Sequence, residues 1–222
     1  MLTSDASLLV STLPTQPIRL YRHPVSGHSH RVELLLSLLG LPFESIDVDL
    51  IAGAHKQPDF LARNPVGQVP VIEDGDVTLS DSNAILVYLA TRYAADASPW
   101  LPRDAIGAAH VQRWLSVAAG PLAFGAGAAR LIQLFKSATA PDEAVARAHS
   151  LLALMERQLT ASDFLTGPSP TLADVANYSY TARAPEGLVS LDGYPHVRAW
   201  LARIEALPGF VPMLKTAVGL PS

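Results

Sequence analysis

Residues 64–82 read Asn64-Pro65-Val66-Gly67-Gln68-Val69-Pro70-Val71-Ile72-Glu73-Asp74-Gly75-Asp76-Val77-Thr78-Leu79-Ser80-Asp81-Ser82. Two short apolar runs, Val69 to Glu73 and Val77 to Leu79, flank Asp74-Gly75. Glycine takes positive φ without penalty, so Asp-Gly between two such runs marks a tight hairpin. From Asn83 to Tyr93, Ile85, Leu86 and Leu89 recur at helical spacing. The segment is therefore expected to fold as strand, turn, strand, helix.

The stretch upstream supplies the complementary half. Ile18 to Tyr21 alternates as a strand does, and Pro24 to Ser29 is a loop. Arg31 to Leu39 is a helical run that Gly40 caps and Pro42 stops. Phe43 to Asp49 alternates again, completing a βαβ unit, and one short helical piece is expected around Pro58 to Leu61. Asp96 to Asp104 reads as a linker, and every later element is helical. Ala105 to about Phe135 is one long helix or a pair, bent or split by Pro121. Helices follow from Thr139–Asp142 to Leu159, from Thr171, and from Tyr194 to Leu207. The expected fold class is α/β plus all-α. A βαβ-ββα domain spans residues 17–94, a linker 95–104 and a helical bundle domain 105–222.

The chain has 222 residues, 49% hydrophobic and 16% charged, with a net charge of −4. That length carries one large domain or two small ones. A mildly acidic chain without basic runs gives no footprint for nucleic acid and no polybasic membrane anchor. No apolar run is read as long enough to span a bilayer. There are no cysteines, which excludes disulfides, thiolate metal sites and a cysteine nucleophile. Leu8-Leu9-Val10 is too short for a signal peptide core and no basic residue precedes it. Residues Met1 to Gln16 are expected to be a flexible leader, and the compartment to be the cytoplasm.

Three constellations can carry chemistry. Proline at Val69-Pro70 either opens a strand in the ordinary way, or forms a cis bond that turns the Val69 N–H and C=O toward a bound peptide. Ser80-Asp81-Ser82 either caps a helix, or leaves N–H groups for a carboxylate while Asp81 takes an ammonium. A ligand with both groups is an amino-acid end. Ser26 and Ser29 either cap and turn the backbone, or donate a hydroxyl to a sulfur and so favour thiolate over thiol. His28 is a minor possibility beside them.

Leu20 to Val32, Asn64 to Ile72 and Leu79 to Leu89 resemble, in order and spacing, the opening domain of the soluble glutathione transferases, of the bacterial theta- and zeta-like serine type. Thr171-Leu172-Ala173-Asp174 resembles the N-capping box of their helical domain. The resemblance implies a thioredoxin-like first domain. It also implies glutathione as co-substrate, no metal, a small hydrophobic electrophile as second substrate, and a homodimer.

The resemblance assigns roles residue by residue. Ser26 matches the catalytic serine. Val69, before a cis Pro70, would hold the cysteinyl backbone of glutathione, and Asp81 and Ser82 its γ-glutamyl end. His55 and Lys56 fall where related sequences place cations for the glycine carboxylate, and Gln68 adds a polar contact. The family usually has Glu or Gln where this chain has Asp81. Members using cysteine place it where Gly27 and His28 stand here, so this chain would be a serine-type transferase. The activity implied is attack of a glutathione thiolate, its pKa lowered by Ser26 and nearby helix N–H donors, on the electrophile. Isomerase, peroxidase or dehalogenase chemistry at the same site, or a non-catalytic binding or regulatory role, are the alternatives. Trp114, Leu122, Phe124 and Arg130 are candidates for the electrophile site.

Overall fold

A computed structural model describes residues 13–95 and 98–220. Most of the expected leader, and Asp96 and Ala97 of the linker, lie outside the described residues. The first domain contains β1 (Ile18–Arg22), α1 (Gly27–Leu38), β2 (Phe43–Asp47), α2 (Pro58–Leu61), β3 (Val71–Asp74), β4 (Val77–Ser80) and α3 (Ser82–Tyr93). The sheet order is β2-β1-β3-β4. β1 runs parallel to β2 and antiparallel to β3, which pairs antiparallel with β4. This is the expected thioredoxin-like βαβ-ββα arrangement. The hairpin turn falls on Gly75-Asp76, one residue later than expected, because Asp74 pairs with Val77 as the last residue of β3.

The helical domain holds α4 (Ala105–Val117), α5 (Ala128–Leu134), α6 (Asp142–Leu159), α7 (Leu172–Ala182) and α8 (Pro195–Glu205). Pro121 does not split the long helix into two separate helices. It sits in a ten-residue π-helical segment, Ala118–Gly127, that joins α4 to α5. The wider turn absorbs the missing donor. Ala105–Leu134 is thus one 30-residue helical run, long and apolar enough by composition to cross a bilayer, contrary to expectation. In the fold its apolar face is spent inward: Val111, Trp114, Leu115, Ala118, Leu122 and Ala129 are buried in the core. Burying a large apolar side chain contributes about 1.5–3 kcal/mol, so packing accounts for that face.

The two domains share one core, with α7 packed against α1 and α4. α7 starts at the expected capping box. Thr171 accepts from the Ala173 N–H, and Asp174 accepts from the Thr171 N–H at 2.8 Å. Asp174 also takes the Leu165 N–H and the Trp200 indole N–H. One buried carboxylate therefore fixes a helix start, a loop and α8. Asn177 donates to the Trp114 carbonyl, and Asn83 of α3 to the Leu115 carbonyl. The Asn83 bond ties the first domain to α4, and the Asn177 bond ties α7 to the same helix. The chain after α8 is extended and threads back across α1, where Ser37 donates to the Gly209 carbonyl.

Candidate active site

A cavity of about 550 Å3 opens beside the carboxyl end of β1. Its wall includes Ser26, His28, His55, Lys56, Gln68, Val69, Pro70, Asp81 and Ser82. The structure thus brings together the residues singled out in the sequence for glutathione, Ser29 excepted, from four separate segments.

The α1 helix begins at Gly27, four residues before the run that marked it in the sequence. Ser26 is its N-cap: the Oγ accepts from the Ser29 N–H at 3.2 Å. A hydroxyl can accept there and still donate its own proton into the cavity. Ser29 lies within the first turn rather than in a loop. It is buried, its Oγ accepts from the His23 N–H at 3.3 Å, and it is not part of the cavity wall. Tyr21 is also elsewhere, donating to Glu73 at 2.9 Å.

His28 does line the cavity, with Nδ1 3.4 Å from the Ser82 Oγ. Burial, reinforced by the charge of Arg31, pushes its pKa down to about 3. A histidine that stays neutral to that depth is a poor proton acceptor at neutral pH. Arg31 lies fully buried beneath it. Its Nη1 reaches the Ser82 Oγ at 3.3 Å and the Asn83 Oδ1 at 3.0 Å. Desolvation lowers its own pKa to about 10, so it remains a cation at neutral pH.

The Val69-Pro70 bond is cis. The β3 strand starts only at Val71, which leaves the Val69 main chain outside the ladder and in the cavity wall. Asn64, buried and absent from the residues expected, shapes this approach. Its Nδ2 donates to the Gln68 carbonyl and its Oδ1 accepts from the Val66 N–H. Lys56 donates to the Val66 and Gly67 carbonyls at 3.2 and 2.9 Å, and an ammonium has a third proton to give. The Nδ1 atoms of His23 and His55 are buried without a partner, and both residues line the cavity. Unmatched polar atoms in a cavity wall are what a polar ligand would satisfy.

At Asp81 the capping reading of the sequence holds. Its Oδ1 caps α3, accepting from Asn83 N–H at 3.0 Å and Ala84 N–H at 2.9 Å. The residue is nevertheless exposed and borders the cavity, with a positive φ of 70°.

The electrophile candidates fare differently. Trp114, Leu122 and Arg130 are buried core residues, and Phe124, though exposed, lines a separate groove beside α6. None of these four forms part of the cavity wall. The residues that do reach it from the helical domain are Leu131, Phe135 and Tyr180. Leu131 and Phe135 are 40% and 55% exposed, four residues apart. That apolar pair was the available signal.

Comparison with known proteins agrees with this geometry. Residues 16–91 match the family model for the glutathione S-transferase N-terminal domain, and residues 102–208 that for the C-terminal domain. Glutathione S-transferase 3 from Zea mays is 40% identical, over 92% of this chain and 95% of its own length. Human glutathione S-transferase theta-2B is 31% identical, over 86% of this chain and 82% of its own. The crystal structure of a glutathione S-transferase from Pseudomonas fluorescens superposes with a TM-score of 0.84 at 34% identity, covering 90% of this chain and all of that one. With both domains matched, in order, the chain belongs to the glutathione S-transferase family and is a transferase enzyme.

Proposed function

We propose that the protein activates the thiol of glutathione through Ser26 for attack on a small hydrophobic electrophile. The observation that carries this is the shared cavity wall: Ser26, Val69 before a cis proline, and the Asp81-Ser82 helix start line one space. Asp81 and Ser82 take the γ-glutamyl end, with the buried charge of Arg31 behind Ser82 favouring its carboxylate. Val69 pairs with the cysteinyl main chain, which directs the thiol toward Ser26. Lys56, His55 and Gln68 meet the glycine end.

The chemistry follows from proton and charge placement. A free thiol titrates near ~8.5, so at neutral pH only a few per cent is thiolate. A hydroxyl donating to sulfur favours the anion and lowers that value. The thiolate then forms a C–S bond. In substitution the leaving group departs with its electron pair, and in addition the electrophile gains a proton. Holding both partners together supplies the rest of the rate enhancement. Leu131 and Phe135 cover the thiol side with apolar surface, which suits a hydrophobic second substrate.

The protein is further taken to work as a cytoplasmic homodimer, as the family pattern implies. Exposed Val66 on one domain and Phe124 on the other offer apolar surface to such pairing. Calorimetry with glutathione tests the site. Saturable binding that weakens at least tenfold in Ser82→Ala or Asp81→Ala is expected. No binding to the parent protein would overturn the assignment.

A further inference from the structure

Tyr180 belongs to α7 in the helical domain, yet it forms part of the wall that Ser26 shares. Its ring is seated in a slot that two glycines create. A Cβ on Gly27 would come within 2.7 Å of Tyr180 Cε1 and Cζ, and one on Gly127 within 3.5 Å of Cδ2 and Cε2. His28 closes the slot with an edge-on contact, ring centroids 5.3 Å apart. The hydroxyl-bearing carbon therefore lies against the residue next to Ser26, at the first turn of α1.

That position is chemically loaded. The N–H groups of Gly27 and His28, which a helix start leaves without intrahelical partners, act on the phenol oxygen and favour its negative form. So do the guanidinium charges of Arg31 and Arg130. Burial is the largest influence and opposes them, leaving the pKa raised, so the group keeps its proton at neutral pH. The result is a neutral phenol whose oxygen is polarised by positive neighbours. Such a group is a strengthened hydrogen-bond donor.

We propose that Tyr180 is a second catalytic hydroxyl, donating to the glutathione sulfur beside Ser26. This rests on the glutathione reading above. The hydrogen bond holds no covalent chemistry: the thiol proton leaves to solvent, and both hydroxyls keep theirs while bonded to the thiolate.

The test is a titration of the bound thiol by thiolate absorbance in the parent, Tyr180→Phe and Ser26→Ala proteins, with the pH profile of kcat/KM alongside. Phenylalanine keeps the ring in its slot between the glycines, so the packing is preserved. A hydrogen bond to a charged group corresponds to about one pH unit. Tyr180→Phe is expected to raise the thiol pKa by about one unit, with the pH profile shifted equally and the KM for glutathione within about twofold. Fluorotyrosine placed at position 180 alone keeps every contact and strengthens the donor, so it should move the pKa the other way. A depressed pKa in the parent that neither substitution moves overturns the role of Tyr180 and leaves the glutathione site standing. A parent that binds glutathione without lowering its thiol pKa overturns thiol activation, and Tyr180 with it.

Discussion

Glu186→Gln should destabilise the protein far more than a conservative change of one atom suggests. Arg130 has no exposed surface, and its Nε donates to Glu186 Oε2 at 2.7 Å. Its Nη1 donates to the Val25 carbonyl, also at 2.7 Å, directly before Ser26. Glu186 in turn accepts the Thr216 N–H at 3.1 Å and the Thr216 hydroxyl at 2.6 Å. Burial alone would push the Glu186 carboxyl up, but the Thr216 bonds and Arg130 outweigh it and hold the pKa below normal. The glutamine variant leaves a guanidinium buried without a counter-charge. Removing one partner of a buried pair costs about 3–5 kcal/mol. Glutamine still accepts one bond, so about 3 kcal/mol is expected here, which in a chain of this size is a melting shift of roughly 6–12 °C. Total stabilities run to only about 5–15 kcal/mol, so the loss is large.

Urea unfolding at neutral pH, followed by tryptophan fluorescence and circular dichroism together, reads the change. Arg130→Met leaves Glu186 with its Thr216 bonds and Arg183 at 3.6 Å, so it should cost less. The double variant Arg130→Met/Glu186→Gln removes both charges and should fall short of the sum of the singles by about 1 kcal/mol or more. The Val25 carbonyl loses its anchor in either Arg130 variant, and kcat/KM should drop about tenfold as the Ser26 loop loosens. A Glu186→Gln protein within about 1 kcal/mol of the parent would refute the argument. So would strict additivity in the double variant.

Two further outcomes follow from other parts of the structure. His30 is buried, with Nδ1 2.8 Å from the Ser179 Oγ and Nε2 3.0 Å from the Val211 carbonyl, and its pKa is pushed down to about 4. Burial is the main cause, the Val211 carbonyl opposes it, and the charges of Arg183, Arg22 and Arg31 add to it. Unfolded, it titrates near ~6.5, so below that pH the unfolded chain binds the extra proton first. Stability is therefore full above about pH 6.5 and falls as pH drops toward 4, by up to about 3 kcal/mol from this group. His28 adds to the loss in the same direction. The slope between pH 7 and 4 should shrink in His30→Gln; an unchanged slope would remove His30 from the explanation. Separately, Leu131→Ser/Phe135→Ser should raise the KM of an apolar electrophile about tenfold while leaving glutathione within about twofold. Equal effects on both substrates would show that these side chains do not select the electrophile.

How much of this was legible in the sequence depends on how local each feature is. The order of elements along the chain follows from alternation in Ile18–Tyr21, Phe43–Asp49 and Val69–Leu79, punctuated by Gly40 and Gly75, each set within a few residues, whereas the pairing of β1 with β3 joins segments far apart in the chain. The capping box at Thr171 and Asp174 is local too. What local pattern could not show is that Asp174 also holds Leu165 and Trp200. The start of α1 was placed late because Gly27-His28-Ser29 carries no apolar period, and only the Ser26–Ser29 bond reveals the first turn. The residues expected to hold glutathione were legible as separate strings, and the fold brings those strings to one cavity wall. The apolar side of the cavity was not legible, because Leu131 and Phe135 reach the first domain only through the tertiary fold. Tyr180 gave no local signal, since its partners, Gly27 and Gly127, lie far away in sequence.

The central claim is that Ser26 donates to a bound glutathione sulfur. The most direct measurement is the pKa of that thiol, followed by thiolate absorbance in the parent and in Ser26→Ala, each saturated with glutathione. The account expects binding in both, a thiol pKa at least one unit below the free value of ~8.5 in the parent, and a rise toward that value in the variant. An equally depressed pKa in Ser26→Ala would contradict it.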